Sequence, residues 1–323
     1  MSTRSTPQHD LIPASELPNG ARLSGNPIFS GWYADPELHI FRNRYYVYPT
    51  TSRDFEQQTS FEVFSSDDLT NWRNDGVILD FADVPWSTNR AAWAPSCIER
   101  DGKYFFYFSA GDGAGLGVAV AEHPAGPFRD AIGKPLISEY HFGAQPIDAH
   151  AFLDDDGQAY LYYGGWKRCV VVRLKENMTE TTGDFREITP PTSAYVEGSF
   201  MLKRRGEYYF MWSEGNWGDS TYAVAYARAS SPLGPFNHRA VVMKSDPQIG
   251  LGAGHHSVLQ LPDSDDWLIC YHRRPLGETD GHHRVTCLDR MVFNAEGDIE
   301  PVILTADGVA ARPLRRQGEW ETK

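Results

Sequence analysis

From about residue 26 onward, short apolar runs alternate with turn-forming clusters, and the runs return at near-constant distance. Five of them are aromatic or apolar: Tyr45-Tyr46-Val47-Tyr48, Tyr104-Phe105-Phe106-Tyr107, Tyr160-Leu161-Tyr162-Tyr163, Tyr208-Tyr209-Phe210-Met211 and Trp267-Leu268-Ile269-Cys270. The anchors Tyr45, Tyr104, Ala159, Tyr208 and Trp267 are 59, 55, 49 and 59 residues apart. Upstream of each run lies an opening segment: Ala34-Asp35-Pro36, Trp93-Ala94-Pro95, Ile147-Asp148-Ala149, Val196-Glu197-Gly198 and His255-His256-Ser257. Between segment and run sit hairpin signals such as Asp101-Gly102, Asp156-Gly157 and Arg205-Gly206. Third strands follow, as in Gly117-Val118-Ala119-Val120-Ala121 and Tyr222-Ala223-Val224-Ala225-Tyr226, and no helical periodicity stands out. A repeat of about 50 residues with several strands per unit predicts an all-β, five-bladed β-propeller. Residues 1–24 read as an N-terminal arm and 25–323 as a single propeller domain. The stretch Arg284 to Val302 is expected to complete the fifth blade or close the ring.

Composition narrows the partners. The formal net charge is −13, so the Lys/Arg excess that neutralises phosphates is missing, and neither nucleic acid nor an anionic membrane is an expected partner. The four cysteines, Cys97, Cys169, Cys270 and Cys287, form no CxxC pair, which argues against a thiolate zinc site. Cys169 and Cys270 lie in apolar runs and are expected to be buried. Met1 to Gly20 is polar and holds no apolar signal region, which predicts a cytoplasmic protein. The glycine-rich Gly111 to Gly117 links strands and opens no helix, so a phosphate-loop reading fails.

Candidate chemistry comes from the opening segments. If these strands line the central channel, Asp35, Asp148 and Glu197 converge on one axial pocket. Paired carboxylates are the equipment of glycoside hydrolysis: one protonates the leaving oxygen while the other activates water or attacks the sugar. The acid must stay protonated near working pH, which needs burial or a neighbouring carboxylate. Taken singly, each residue has a plainer role, Asp35-Pro36 as a turn, Asp148 as a cap, Glu197-Gly198 as a bulge. Acids at matching positions in three repeats of an otherwise apolar strand carry the functional reading.

Gly31-Trp32-Tyr33-Ala34-Asp35-Pro36, Trp93-Ala94-Pro95, Ile147-Asp148, Glu197-Gly198 and Gly254-His255 together resemble the signature blocks of glycoside hydrolase family 43. The resemblance runs in order from about Asn26 to the end of the propeller. It implies inversion of anomeric configuration, with Asp35 as general base, Glu197 as general acid and Asp148 as the acid that tunes and orients Glu197. Base and acid should then stand ~6.5–9.5 Å apart to leave room for water. Ser199-Phe200 follows Glu197-Gly198, where many relatives carry Pro.

The resemblance implies that Arg284 reaches the sugar hydroxyls and the acid cluster. Trp93 opens the second inner strand and is a candidate for stacking on a pentose; Trp32 and Phe152 are further substrate-binding candidates, with Tyr33, Trp166 and Trp217 at the rim. The Gly252-Ala253-Gly254-His255 block resembles the family element that sets one histidine near the channel axis. There His255 could hold a hydrated divalent cation such as Ca²⁺, with the register leaving His256 as the alternative.

The expected activity is that of an exo-acting, inverting β-D-xylosidase on β-1,4-xylo-oligosaccharides, with side activity on α-L-arabinofuranosides. A dedicated α-L-arabinofuranosidase or exo-arabinanase is the alternative, and a non-catalytic carbohydrate-binding propeller the reading from another class. Many family xylosidases add a C-terminal β-sandwich that helps close the pocket. Here a neighbouring subunit of a homo-oligomer, or a loop at 80–92 or 213–220, is expected to do so.

Overall fold

The structure is a computed structural model, and it describes Gly20 and residues 22–192 and 194–314. Five antiparallel sheets form in chain order. The first holds β1 (Tyr33–Phe41), β2 (Arg44–Thr51), β3 (Ser60–Ser66) and β4 (Trp72–Asp80). The second holds β5 (Trp93–Arg100), β6 (Lys103–Ala110), β7 (Gly115–Ala121) and β8 (Arg129–Asp130). The third holds β9 (His150–Leu153), β10 (Ala159–Tyr163), β11 (Val170–Arg173) and β12 (Arg186–Glu187). The fourth holds β13 (Tyr195–Arg204), β14 (Glu207–Glu214), β15 (Ala223–Ala229) and β16 (Asn237–Lys244). The fifth has three strands, β17 (Leu251–Gln260), β18 (Trp267–Arg274) and β19 (Val285–Met291). The first strands β1, β5, β9, β13 and β17 touch in that cyclic order, which is the propeller expected from the repeat.

The aromatic runs explain the stacking. Side chains on a strand point alternately to the two faces, and a blade in a propeller has a neighbour on both. A second strand therefore needs apolar residues at every position rather than every other one. Tyr104, Phe106 and Phe108 pack toward the first blade, while Phe105 and Tyr107 pack toward the third. In β14, Phe210 and Trp212 face the third blade, and Tyr209 and Met211 face the fifth. Five apolar clusters result, one per interface, and the cluster of Tyr45, Val47, Leu268 and Cys270 joins the fifth blade to the first. Each such side chain contributes roughly 1.5–3 kcal/mol by leaving water.

Both chain ends close the ring. Tyr33 N–H donates to Arg284 O at 2.8 Å and Ile28 N–H to Thr286 O at 3.0 Å, so the segment entering β1 lies along β19. The stretch Arg284 to Val302 divides: β19 completes the fifth blade, whereas Val302 N–H donates to Val242 O in the outer strand of the fourth. Of the expected arm, Leu23 pairs with Ala310 and Ser24 N–H donates to Val309 O; residues 1–19 and 21 lie outside the described residues. All four cysteines are buried and free.

Candidate active site

One backbone irregularity recurs at the mouth of the channel. Asp35 (φ 48°), Ala94 (φ 42°), Asp148 (φ 57°), Gly198 (φ 67°) and His255 (φ 36°) all take left-handed φ, one per blade. In β1, β5, β13 and β17 that residue sits in a break of register, and Asp148 lies just ahead of β9. A bulge frees one residue from the ladder and re-aims its side chain. The freed N–H is caught by a side chain from the second strand of the preceding blade. Ala94 N–H donates to Thr50 Oγ1 (2.7 Å), Asp148 N–H to Ser109 Oγ (2.9 Å), His255 N–H to Ser213 Oγ (3.0 Å) and Asp35 N–H to His272 Nδ1 (3.1 Å). In the fourth blade no such hydroxyl intervenes, and the Gly198 N–H serves the Asp148 carboxylate. The opening segments thus aim their residues inward through bulges, each braced by a neighbouring blade.

Asp35 is buried beside cations and imidazoles. Arg284 Nη1 lies 3.3 Å from Asp35 Oδ1, and Arg284 Nε donates to Ser52 Oγ at 3.0 Å. The same guanidinium lies over the Trp217 ring, 5.2 Å from its centroid. His272 Nδ1 is 3.2 Å and His255 Nδ1 3.4 Å from Oδ1. Burial pushes His272 down to about 4 and also lowers His255, so both rings are neutral near pH 7. A neutral His272 ring accepting the Asp35 N–H cannot also donate to Oδ1 through the same nitrogen. Burial would raise Asp35, but the opposing charges outweigh it, Arg284 first, and hold the carboxyl well below its usual range. With His255 neutral, we attribute that shift to Arg284.

Glu197 and Asp148 face the opposite situation. Burial pushes Glu197 up to about 7; the Tyr222 hydroxyl, which donates to Oε1 at 2.9 Å, pulls the other way, and the Asp35 charge adds to the rise. Asp148 is raised well above the carboxylate range by burial, then by Glu197 and Asp35. These two acids titrate as a pair, and the pair keeps a proton that two exposed carboxylates would lose. The site therefore joins one carboxylate fixed in its charged form to two acids biased toward their neutral forms.

The pocket around them is lined by Asp35, Phe55, Trp93, Ile147, Asp148, Glu197, Trp217, His255 and Arg284, and opens to solvent, with about 420 Å³ of empty space including its mouth. Asp35, Asp148, Glu197, Trp93, Arg284 and His255 are brought together as the sequence suggests. His255, not His256, faces the axis; His256 is buried beside the Phe200 ring. Trp217, from the 213–220 loop, forms one wall. Phe55, from a short 3₁₀ turn, meets Trp93 edge-on at 4.7 Å and lay outside the sequence reading. The 80–92 loop braces that turn, through Ala91 N–H to Phe55 O (3.0 Å), instead of lining the pocket.

Two expectations are corrected. Phe152 does not reach the site: it packs edge-on against Tyr208, 6.2 Å between centroids. Four residues of strand separate it from Asp148, and at about 3.3 Å per residue the strand has carried it far from the mouth. Trp32 stacks on His283 at 4.4 Å, outside the pocket lining. Ser199, the departure next to Glu197-Gly198, turns away to Cys169 Sγ (3.1 Å) and the Tyr195 hydroxyl (3.0 Å).

Deeper in the channel lies another buried acid. Glu37 stands 3.2 Å from both His39 Nε2 and His150 Nδ1 and accepts from Ser96 Oγ at 2.9 Å. Burial opposes its ionisation, but the flanking imidazoles prevail and hold it at about 2.

Among the described residues no group of three or more His, Cys, Asp or Glu side chains is arranged to hold a metal. Ca²⁺ takes six to eight oxygen ligands, and His255 offers one ring nitrogen that already faces Asp35 and Asp148 (3.6 Å). A directly coordinated ion does not fit these residues.

The chain is similar to known proteins over most of its length. A β-D-galactofuranosidase from Aspergillus niger is 47% identical over 97% of this chain and 94% of its own length. A xylosidase/arabinosidase from Humicola insolens is 29% identical over 84% of this chain and 98% of its own. The crystal structure of a thermostable family-43 glycoside hydrolase superposes with a TM-score of 0.78 at 26% identity, covering 90% of this chain and 99% of that one. The model of glycosyl hydrolases family 43 matches residues 24–299, so nearly the whole propeller, with its carboxylate pocket, is the matched unit: the chain belongs to glycosyl hydrolase family 43.

Proposed function

We propose that this glycoside hydrolase is an exo-acting, inverting furanosidase that cleaves terminal β-D-galactofuranosides, with α-L-arabinofuranosides as secondary substrates. The observation that carries the mechanism is the unequal surroundings of the two carboxylates: Arg284 Nη1 lies 3.3 Å from Asp35 Oδ1, while Glu197 has the Tyr222 hydroxyl at 2.9 Å and Asp148 for a neighbour, and burial biases it toward its neutral form. Asp35 takes a proton from water, and the water oxygen bonds to the anomeric carbon. Glu197 gives its proton to the glycosidic oxygen as the exocyclic C–O bond breaks on the opposite face. Asp148, neutral beside Glu197, keeps a second negative charge away from the acid; solvent afterwards takes the proton from Asp35 and returns one to Glu197. Arg284 holds Asp35 ionised and adds hydrogen-bond donors at the edge of the pocket.

The choice of sugar departs from the xylosidase expectation. The full-length similarity to a galactofuranosidase supports it. Chemistry makes the arabinofuranoside the natural second substrate: β-D-galactofuranosides and α-L-arabinofuranosides share ring size and ring configuration and differ in the exocyclic arm. The second reading is β-xylosidase, favoured by the similarity to the Humicola insolens xylosidase/arabinosidase. Initial rates on aryl β-D-galactofuranoside, α-L-arabinofuranoside and β-D-xylopyranoside decide between them. A clear preference for the xyloside would overturn the furanosidase reading. Proton NMR of the first anomer released tests inversion; a retained anomer would sink the assigned roles.

A cation held near His255 through its own water shell, without direct ligation, is a separate proposal. Activity lost in EDTA and restored by Ca²⁺ would support it. Unchanged activity would leave His255 as a neutral ring between two carboxylates.

A further inference from the structure

Three large aromatic side chains are strongly exposed among the described residues, and all three lie in one region: Tyr140 (41%), Phe142 (53%) and Trp166 (62%). Tyr140 and Phe142 belong to the turn that leads into the third blade; Trp166 tips the loop after β10. The Tyr140 and Trp166 rings lie 5.2 Å apart between centroids. Trp166 and the next residue, Lys167, both hold left-handed φ, 55° and 63°, a costly conformation for bulky residues. An exposed indole kept in such a backbone contributes nothing to the core.

The loop that carries it is tied to the acid side of the pocket. Gly164 N–H donates to the carbonyl of the pocket residue Ile147 (2.9 Å), and Gly165 N–H to Gln145 O (3.1 Å). Lys167 N–H reaches Val196 O at 3.3 Å, the residue just before Glu197. The aromatic patch thus borders the side where Glu197 stands, away from the cluster of Arg284 and His272 around Asp35. In glycoside hydrolysis the general acid faces the leaving group.

We propose that Trp166, backed by Tyr140, is a stacking platform for the leaving-group sugar, the saccharide unit on the far side of the bond that is cut. This rests on the assignment of Glu197 as general acid. The apolar C–H face of a sugar ring lies against the electron-rich face of an indole, and the surrounding water is displaced from both. Phe142 extends the patch for a further unit. The occupant is an oligosaccharide whose second residue is itself a sugar; a methyl leaving group puts no ring over the platform.

The test compares Trp166→Ala and Trp166→Tyr with the wild type on two substrates that share the released sugar. One is methyl β-D-galactofuranoside, the other a β-D-galactofuranosyl disaccharide; the matching arabinofuranosides or xylosides serve if the wild type prefers those. The expected result is an about fivefold to tenfold loss of kcat/KM on the disaccharide for Trp166→Ala, carried mostly by KM, with the methyl glycoside unchanged and Trp166→Tyr largely restored. Equal losses on both substrates, or no loss on the disaccharide, would overturn the platform. Failure of the furanosidase reading shows separately, as the wrong aryl glycoside being cleaved by the wild type.

Discussion

The two sides of the pocket treat the same functional group in opposite ways. On the side of the first and fifth blades, Asp35 meets a guanidinium and two neutral rings and is held ionised. On the side of the third and fourth blades, Glu197 and Asp148 meet each other, a phenol and a backbone N–H, and are held protonated. Asp35 and Asp148 are both buried, so burial alone cannot explain the difference. The presence of one arginine on one side and its replacement by a second acid on the other divides the roles of base and acid.

The most severe way to break this contrast is to remove either member. Asp35→Asn and Glu197→Gln should each lower kcat by about 10²–10⁴ on a glycoside with a poor leaving group. Substrates with activated aryl leaving groups separate the two, because such groups depart without protonation. Glu197→Gln should recover much of its rate on them and Asp35→Asn none. Equal recovery would mean that the roles are misassigned.

Arg284→Gln should make the two sides alike. Without the guanidinium, Asp35 loses the partner that keeps it ionised, and the acid limb of the kcat/KM profile should move up by about one to three pH units. An unmoved acid limb would show that Asp35 is held down by something else.

Tyr222→Phe acts on the other side and more gently. Glu197 must be protonated to act, so wild-type kcat/KM should decline as pH rises through about 7. Removing the hydroxyl that favours the ionised form raises Glu197 further, so that limb should move to higher pH, with little change in the acid limb. A downward shift would contradict the geometry.

The smallest effect concerns Glu37, deeper in the same channel. Its folded value, about 2, lies below its ordinary 4.5. The stability it adds is therefore complete above about pH 5 and lost as pH falls toward 2. The difference in melting temperature between wild type and Glu37→Gln should be constant near neutrality and shrink on acidification. A gap that widens with acid would reverse the assignment.

Much of this was readable in the sequence, and the reasons differ by residue. The aromatic runs announce the blades because a second strand is apolar on both faces. Asp35, Asp148 and Glu197 stood out because each repeat supplies an internal control for the others. His272 did not: it lies 237 residues from Asp35 and bonds it only because the last blade closes on the first. Tyr222 and Phe55 carry no repeat signal; one sits just ahead of β15 and the other in a turn that a distant loop supports. Phe152 follows Asp148 on the same inner segment, but the strand carries it away from the mouth and into the packing against Tyr208.

The ring of left-handed residues has a consequence for how such an enzyme could change. Asp35, Ala94, Asp148, Gly198 and His255 occupy five sockets whose direction is set by main chain and by the adjoining blade, not by the side chain they hold. A replacement in one socket alters the chemistry presented to the substrate while leaving the aim of the other four intact. Ala94 occupies its socket with a single methyl group. It is the position where new polarity could be introduced with the least disturbance to the others.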